Sequence, residues 1–262
     1  MNIIDNMITE RQEALLASII EEFIKTAEPI SSKLLEKSGF FDLSSATIRA
    51  EMSELEVLGY LAHLHTSGGR VPTDYAYRFY VDNLASEKLK VKSEKQEEKI
   101  IREAIWGAGD DPREINKVVA QTLSALSDNL IITGIIEEDD FFKVGLSSLF
   151  EMPEFREFDR VSRLASFFDA FEELVGQIEG DFFDSSMSKT RSMPDNKVRV
   201  FIGQENPIRD IRDETVMFAK YNLPDDLTGS LTLVGPTRMN YAKNIGLIKY
   251  ATQELNKISK QV

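Results

Sequence analysis

Apolar residues recur at three- and four-residue steps in the first stretch of the chain, at Leu15, Leu16, Ile19, Ile20, Phe23 and Ile24. That spacing predicts a helix with one buried face. Thr9 with Gln12 supplies a capping box at its start. Glu28-Pro29 ends it, because proline disfavours helix in the residue before it. A short second helix follows, capped by Ser31 or Ser32, carrying Leu34 and Leu35 and ending at Ser38-Gly39. After a turn plugged by Phe40, Phe41 and Leu43, a Ser44 cap opens a third helix. Ile48, Met52, Leu55 and Leu58 share one of its faces, and Ser45, Arg49 and Ser53 lie opposite. Gly59 stops it. Tyr60 to His65 alternates as a strand does, Thr66 to Arg70 is a turn of small residues, and Val71-Pro72-Thr73 returns as a short edge strand, a place that tolerates proline. A further helix, capped by Thr73 or Asp74, carries Tyr77, Tyr80, Val81 and Leu84. Three helices, a hairpin and a further helix predict a winged helix-turn-helix over residues 1–88.

The pattern then changes. The charged segment "SEKLKVKSEKQEEKIIREAI" predicts a solvated linker helix at 89–105. Residues 114–129 read as a helix, and "LIITGIIEEDDFFKVGL" as two strands around an acidic turn. Residues 153–179 form a phenylalanine-rich helix with Phe155, Phe158, Val161, Leu164, Phe168 and Phe171 at helical spacing. That stripe is either core or a subunit contact, so Phe158, Val161, Phe168 and Phe171 are the candidate dimerisation residues. Residues 180–196 read as an exposed loop. "KVRVFIG", "ETVMFAKYN" and "LTGSLTLVGP" are strands, and a last helix is capped by Asn240. Helices flanking antiparallel strands predict an α+β domain over 106–262, with its helices segregated on one face of the sheet.

Composition narrows the function. The chain has 262 residues, 42% hydrophobic and 29% charged, ordinary values for a globular protein. No apolar run approaches the ~20 residues that span a bilayer. "MNIIDNMITERQ" lacks a basic segment and a small-residue cleavage site, so the expectation is a cytoplasmic protein without membrane contact. There is no cysteine, and the only histidines are His63 and His65. Thiolate catalysis and Cys-ligated zinc are excluded, and a His-dependent triad or metal site has little to draw on. No phosphate-binding loop of the P-loop or dinucleotide type is present. The expectation is a protein that is not an enzyme, with no catalytic residue, metal or cofactor.

The net charge of −13 is uneven: −5 over residues 1–90, −10 over 91–191 and +2 over 192–262. It argues against a nonspecific nucleic-acid coat. A small local surface that reads DNA is still allowed, since phosphates feel charges within about a Debye length, ~8 Å in physiological salt. The third helix and the hairpin offer one. Ser44 caps the helix; Ser45, Thr47 and Ser53 present hydroxyls; Arg49, one turn in, reaches a guanine edge or a phosphate. The hairpin adds His63, His65, Thr66, Ser67, Gly68, Gly69 and Arg70, with glycines that let backbone amides approach phosphate. Tyr75, Arg78 and Tyr80 are further candidates, at least one tyrosine being core. One such unit offers few cations, so a two-fold dimer on half-sites about one helical turn apart is expected. Glu137, Glu138, Asp139 and Asp140 suit either a hard cation or a solvated turn. Gly235 to Arg238 suits either an anion site or a turn into the last helix.

Three segments together resemble the HrcA family of bacterial heat-shock repressors: "SSATIRAEMSELEVLGYLAHLHTSGGRVPTDYAYRFYVD", "GLSSLFEMPEF" and the stretch from "VFIGQENP" to "LTLVGPTRMNYA". The resemblance implies a repressor with an amino-terminal winged helix and a GAF-like carboxy-terminal domain. It implies a homodimer on double-stranded DNA, at an inverted-repeat operator called CIRCE, with activity supported by the chaperonin. A small-molecule ligand in the GAF-like domain is the alternative regulator. The chain departs from the family at Ala50, commonly Asn, at Leu64, usually Pro, and at Gly68, usually Ala. The family's inserted dimerisation segment is absent or vestigial between "LSDNL" and "GLSSL".

Overall fold

The structure, a computed structural model, describes residues 8–39, 41–63, 69–85, 94–183 and 198–260. It divides into two units, Met1–Asn83 and Leu84–Val262.

In the first unit α1 spans Glu10–Thr26, α2 Ser32–Ser38, α3 Ser45–Val57 and α4 Asp74–Ala85. Each start follows from a local polar group. The Thr9–Gln12 capping box is formed, Ser31 accepts from the Leu34 amide, and Ser44 Oγ accepts from the Thr47 amide at 3.2 Å. Each hydroxyl takes up an amide that the first turn leaves without a partner. Leu15, Leu16, Ile19, Ile20, Ile48, Met52 and Leu55 are buried together. Beyond α3, Gly59 takes φ +84°, and the hairpin β1 (Leu61–His63) and β2 (Arg70–Pro72) pairs antiparallel with His63 opposite Arg70. Ile30 joins it through two 2.9 Å bonds between its backbone and that of Arg70. A Cβ on Gly69 would lie 2.6 Å from the Pro29 and Ile30 backbones. That glycine serves the approach of two chain segments within the protein.

In the second unit α5 (Lys95–Gly107) and α6 (Pro112–Ser127) precede β3 (Leu130–Ile135) and β4 (Asp140–Val144). Then come α7 (Leu146–Glu151), a 3-10 turn at Pro153–Arg156, α8 (Phe158–Phe183), β5 (Arg199–Ile202), β6 (Glu214–Asn222), β7 (Thr228–Pro236) and α9 (Tyr241–Ile258). The sheet runs β4-β3-β7-β6-β5, all antiparallel.

The expected segregation of helices on one face is corrected. Leu130, Ile132, Val216, Val234 and Phe201 point to one side, where Leu149, Phe155, Leu164, Phe167 and Phe171 cover them. On the opposite side Thr133 Oγ1 donates to the Asn116 carbonyl of α6 at 3.0 Å, and Thr215 Oγ1 meets the Tyr241 hydroxyl of α9 at 2.9 Å. Strand residues alternate between faces, and both sets are apolar enough to need a cover. Of the 89–105 segment, residues 89–93 lie outside the described residues and 95–105 are placed differently. Ile101 and Ile105 are buried, and α5 packs on α6 and α9 as part of the second unit.

The phenylalanine stripe faces the core: Phe155, Leu164 and Phe171 are buried, Val161 and Phe168 pack against them, and Phe167 joins the cluster. The 3-10 turn separates Phe155 from the helix, and α8 buries Leu164, Phe167 and Phe171. Phe171 is 4% exposed and Phe168 is partly buried against the same core, so both contribute to packing within the unit. Val161 is also partly buried there, while Phe158 is 81% exposed. The 180–196 loop expectation is corrected over 180–183, which are helical; 184–196 lie outside the described residues.

Candidate nucleic-acid interface

The third helix divides its residues as a surface helix must. Ile48, Met52 and Leu55 pack inward, and Glu51 and Glu54 are tied to α1. Arg11 pairs with Glu51, and Gln12 Nε2 donates to Glu54 Oε2 at 2.8 Å. These ties fix α3 against α1 and leave its Arg49–Ser53–Glu56 stripe facing away from them. The thirteen residues of α3 extend roughly 20 Å at 1.5 Å per residue.

At the helix start Ser44 Oγ also lies 3.0 Å from Thr47 Oγ1. The Ser45 amide donates to Glu36 Oε1 of α2 at 2.9 Å. The sequence reading missed Glu36, which closes the α2–α3 turn and already uses one amide of the helix end. Ser44 and Thr47 are exposed and Ser45 half-buried. Arg49 is exposed, and among the described residues no ion pair or side-chain hydrogen bond holds its guanidinium. Glu51, two residues further along the helix, is taken by Arg11.

The hairpin residues stand differently. Arg70, one of the hairpin candidates, is engaged within the protein. Its side chain is 11% exposed, with Nε donating to Glu56 Oε2 at 2.9 Å and Nη2 donating to Ser53 Oγ at 2.8 Å. Ser53 Oγ donates in turn to the Arg49 carbonyl at 2.9 Å. His63 Nδ1 contacts Glu56 Oε1. The hydrogen bond from His63, together with Arg70, holds the Glu56 carboxyl below the usual glutamate range despite its partial desolvation. His65, Thr66, Ser67 and Gly68 lie outside the described residues. Of the aromatic candidates, Tyr80 is core and donates to Glu21 Oε1 at 3.3 Å. Tyr75 is 55% exposed and stacks on Tyr60 with ring centroids 4.6 Å apart. Arg78 lies 3.6 Å from Asp82.

The structure thus brings Ser44, Ser45, Thr47, Arg49 and Ser53 onto one helix, with His63, Gly69 and Arg70 at the turn end of the hairpin's described strands. Glu56, absent from the sequence reading, holds two of them. Its only signal was its place in the 49–53–56 stripe.

In the second unit the acidic turn is engaged by the protein itself. Arg113 pairs with Glu138 and Asp140, and Glu137 Oε2 accepts from the Thr228 amide at 2.9 Å. No cluster of metal-ligating side chains occurs among the described residues. Arg238 pairs with Glu154, and Asn240 caps α9 at 3.1 Å, so Gly235 to Arg238 is a turn rather than an open anion site. A cavity of about 240 Å³ beside Arg113, Lys117 and Phe142 is small and polar, below the ~300–1,000 Å³ of ordinary ligand pockets. No described helix is long and apolar enough to cross a membrane.

A small helical unit with a cation and hydroxyls on one helix end, followed by helices on both faces of a five-stranded antiparallel sheet, defines a two-unit protein of the mixed α+β class. A family model described as the HrcA protein C terminal domain matches residues 80–245. The chain belongs to the HrcA family. It is 27% identical to the heat-inducible transcription repressor HrcA of Oceanobacillus iheyensis, over 95% of this chain and 96% of that protein. It is 26% identical to the protein of the same name from Clostridium tetani, over 96% and 95%. The first alignment runs over 338 positions, more than the 262 residues here, so that relative carries segments this chain does not. A solved structure described as a hypothetical protein at 2.2 Å resolution is similar over 97% of this chain and 99% of its own, with a TM-score of 0.77 and 19% identity. That likeness concerns the fold.

Proposed function

We propose that the protein is a transcriptional repressor of heat-shock genes whose first unit is a winged helix-turn-helix reading duplex DNA. Membership of the HrcA family and relatives named heat-inducible transcription repressors support the reading. The observation that carries it is Arg49: an exposed guanidinium one turn into a capped, well-seated helix, in a unit where each other described arginine has a carboxylate partner. A recognition helix places such a group against base edges while its remaining length packs on the domain. The hydroxyls of Ser45 and Thr47 would position phosphates. The second unit serves as a GAF-like regulatory and dimerisation domain, and a homodimer places two such helices on an inverted repeat of CIRCE type. The chaperonin is the proposed modulator of its activity, and the cytoplasm its place of work. With Phe168 and Phe171 used in the core, Phe158 is the member of the candidate set best exposed for a subunit contact.

A gel shift tests the reading. The protein is expected to bind an inverted-repeat operator duplex in preference to a scrambled one, with affinity falling steeply as salt rises. Arg49→Ala is expected to cost about 1–3 kcal/mol of that preference, the worth of a good bidentate base contact. Equal binding of both duplexes by the wild type refutes it.

A further inference from the structure

We propose that Glu56 is a positioning residue for DNA binding: with Arg70, His63 and Ser53 it forms a brace that fixes the hairpin against the outward stripe of α3. The inference rests on the DNA-binding reading above. It assigns to an acidic side chain a favourable role in binding a polyanion.

The geometry is specific. Arg49, Ser53 and Glu56 fall at steps of four and three on α3, so they form one row. His63 and Arg70 face each other across the hairpin, on the residues nearest its tip for which pairing is described. One carboxylate oxygen of Glu56 takes His63 and its second takes Arg70. Arg70 then reaches Ser53, which closes onto the Arg49 carbonyl. Both strands of the hairpin are thereby tied to the helix that carries the exposed arginine. On its far side the Arg70 backbone makes two hydrogen bonds to Ile30, and Gly69 passes against Pro29–Ile30 too closely for any side chain. Residue 70 is therefore held from both directions, by backbone on one side and by charge on the opposite one.

A carboxylate is what this junction needs. It has two oxygens and no hydrogen, so it can accept from two donors at once. An amide offers one oxygen and a donor group, so it cannot accept from both side chains and sets an N–H against the Arg70 guanidinium or the His63 ring nitrogen. Aspartate keeps the charge and is one methylene shorter, so it cannot span His63 and Arg70 together. Two elements that grip one duplex at different places must be held at a fixed separation; without the brace, ordering the hairpin costs entropy at the moment of binding.

Charge alone and the brace predict opposite signs. Removing a negative charge beside DNA would by itself tighten binding. The brace requires that Glu56→Gln and Glu56→Asp both weaken it. The experiment measures the affinity of wild type, E56Q, E56D, R70Q and E56Q/R70Q for an operator duplex and a scrambled duplex, with thermal melting of each protein. Operator affinity is expected to fall on the order of ten-fold in each single variant. Scrambled-duplex affinity and melting temperature are expected to stay near wild type. The double variant is expected to be no worse than either single one, since residues acting as a unit are non-additive. Operator binding by E56Q at or above the wild-type level overturns the brace. So does an equal loss on both duplexes with a lowered melting temperature, which would make the network a matter of folding alone. Failure of the wild type to prefer the operator removes the DNA-binding reading and the brace with it, an outcome read from the wild-type arm before any variant is considered.

Discussion

Arg160→Met tests how α8 is held to the sheet. The Glu214 side chain is 2% exposed, and both its oxygens accept from Arg160, Oε1 from Nε at 2.7 Å and Oε2 from Nη2 at 2.8 Å. Nη2 also donates to the Asp213 carbonyl at 2.7 Å, and the guanidinium lies 4.9 Å over the Phe155 ring. Burial pushes the Glu214 carboxyl above the ordinary glutamate value of 4.5, and Arg160 offsets part of that rise. Methionine fills much of the same volume and offsets nothing. Leaving one partner of a buried pair costs about 3–5 kcal/mol. For a unit of this size that is roughly 6–20 °C of melting temperature, at 2–4 °C per kcal/mol. The sign with pH follows from the raised carboxyl. Below the unfolded value of 4.5 the group is neutral in both states and costs nothing; as pH rises through the folded value the penalty grows. The gap between variant and wild type should therefore be largest at pH 7 and narrow toward pH 4.5. The double variant R160M/E214L removes both charges and is expected within about 1 kcal/mol of wild type. Melting followed by circular dichroism at several pH values reads all three. An R160M protein melting within 2 °C of wild type at pH 7, or a double variant as unstable as R160M, refutes the reasoning.

Three further outcomes are expected. Gly69→Ala places a Cβ 2.6 Å from the Pro29 and Ile30 backbones, so the hairpin must shift; a loss of about 1–3 kcal/mol is expected in denaturant titration of the first unit. Ser44→Ala removes the acceptor for the Thr47 amide and should cost about 0.5–2 kcal/mol in the same titration, while Ser44→Gly should cost only a few tenths. Trp106, the single tryptophan, donates to buried Glu254 at 3.0 Å. Burial raises the Glu254 carboxyl, but bonds from Lys257 and Trp106 outweigh it and the net shift is downward from 4.5. The contribution of this group is present above pH 4.5 and lost as pH falls through the lower folded value. Trp106 emission should change with a midpoint below 4.5, and Glu254→Gln should abolish that transition.

Local devices were legible in the sequence because their partners are close along the chain. The Thr9–Gln12 box, the Ser44 cap and the Asn240 cap each span three residues. The apolar rows of α1 and α3 were legible for the same reason, as was the pairing of two strands across the acidic turn. What escaped was long-range. Nothing in the sequence couples Arg160 to Glu214, 54 residues apart, or Glu56 to Arg70, 14 apart. Arg70 read as a free cation because its partner becomes visible only when the hairpin folds back on α3. Of the row from Phe155 to Phe171, Phe158 falls outside the core, just after Pro153–Arg156, where the backbone is 3-10 and the side-chain direction resets. The charged face of α5 concealed Ile101 and Ile105, four residues apart and enough for a buried seam. Of the interface itself, the helix residues were placed by local rules, whereas the hairpin's organisation around Glu56 was not.

Among the described residues the five-stranded sheet is open, with β4 and β5 at its two rims. At one rim β4 is five residues long and carries exposed Asp140 and Lys143; at the other β5 has only four residues and begins with Arg199. Short strands and charged side chains discourage a second chain from extending the ladder. These two rims thereby disfavour edge-to-edge pairing between copies of the chain and the fibrillar stacking that such pairing would seed.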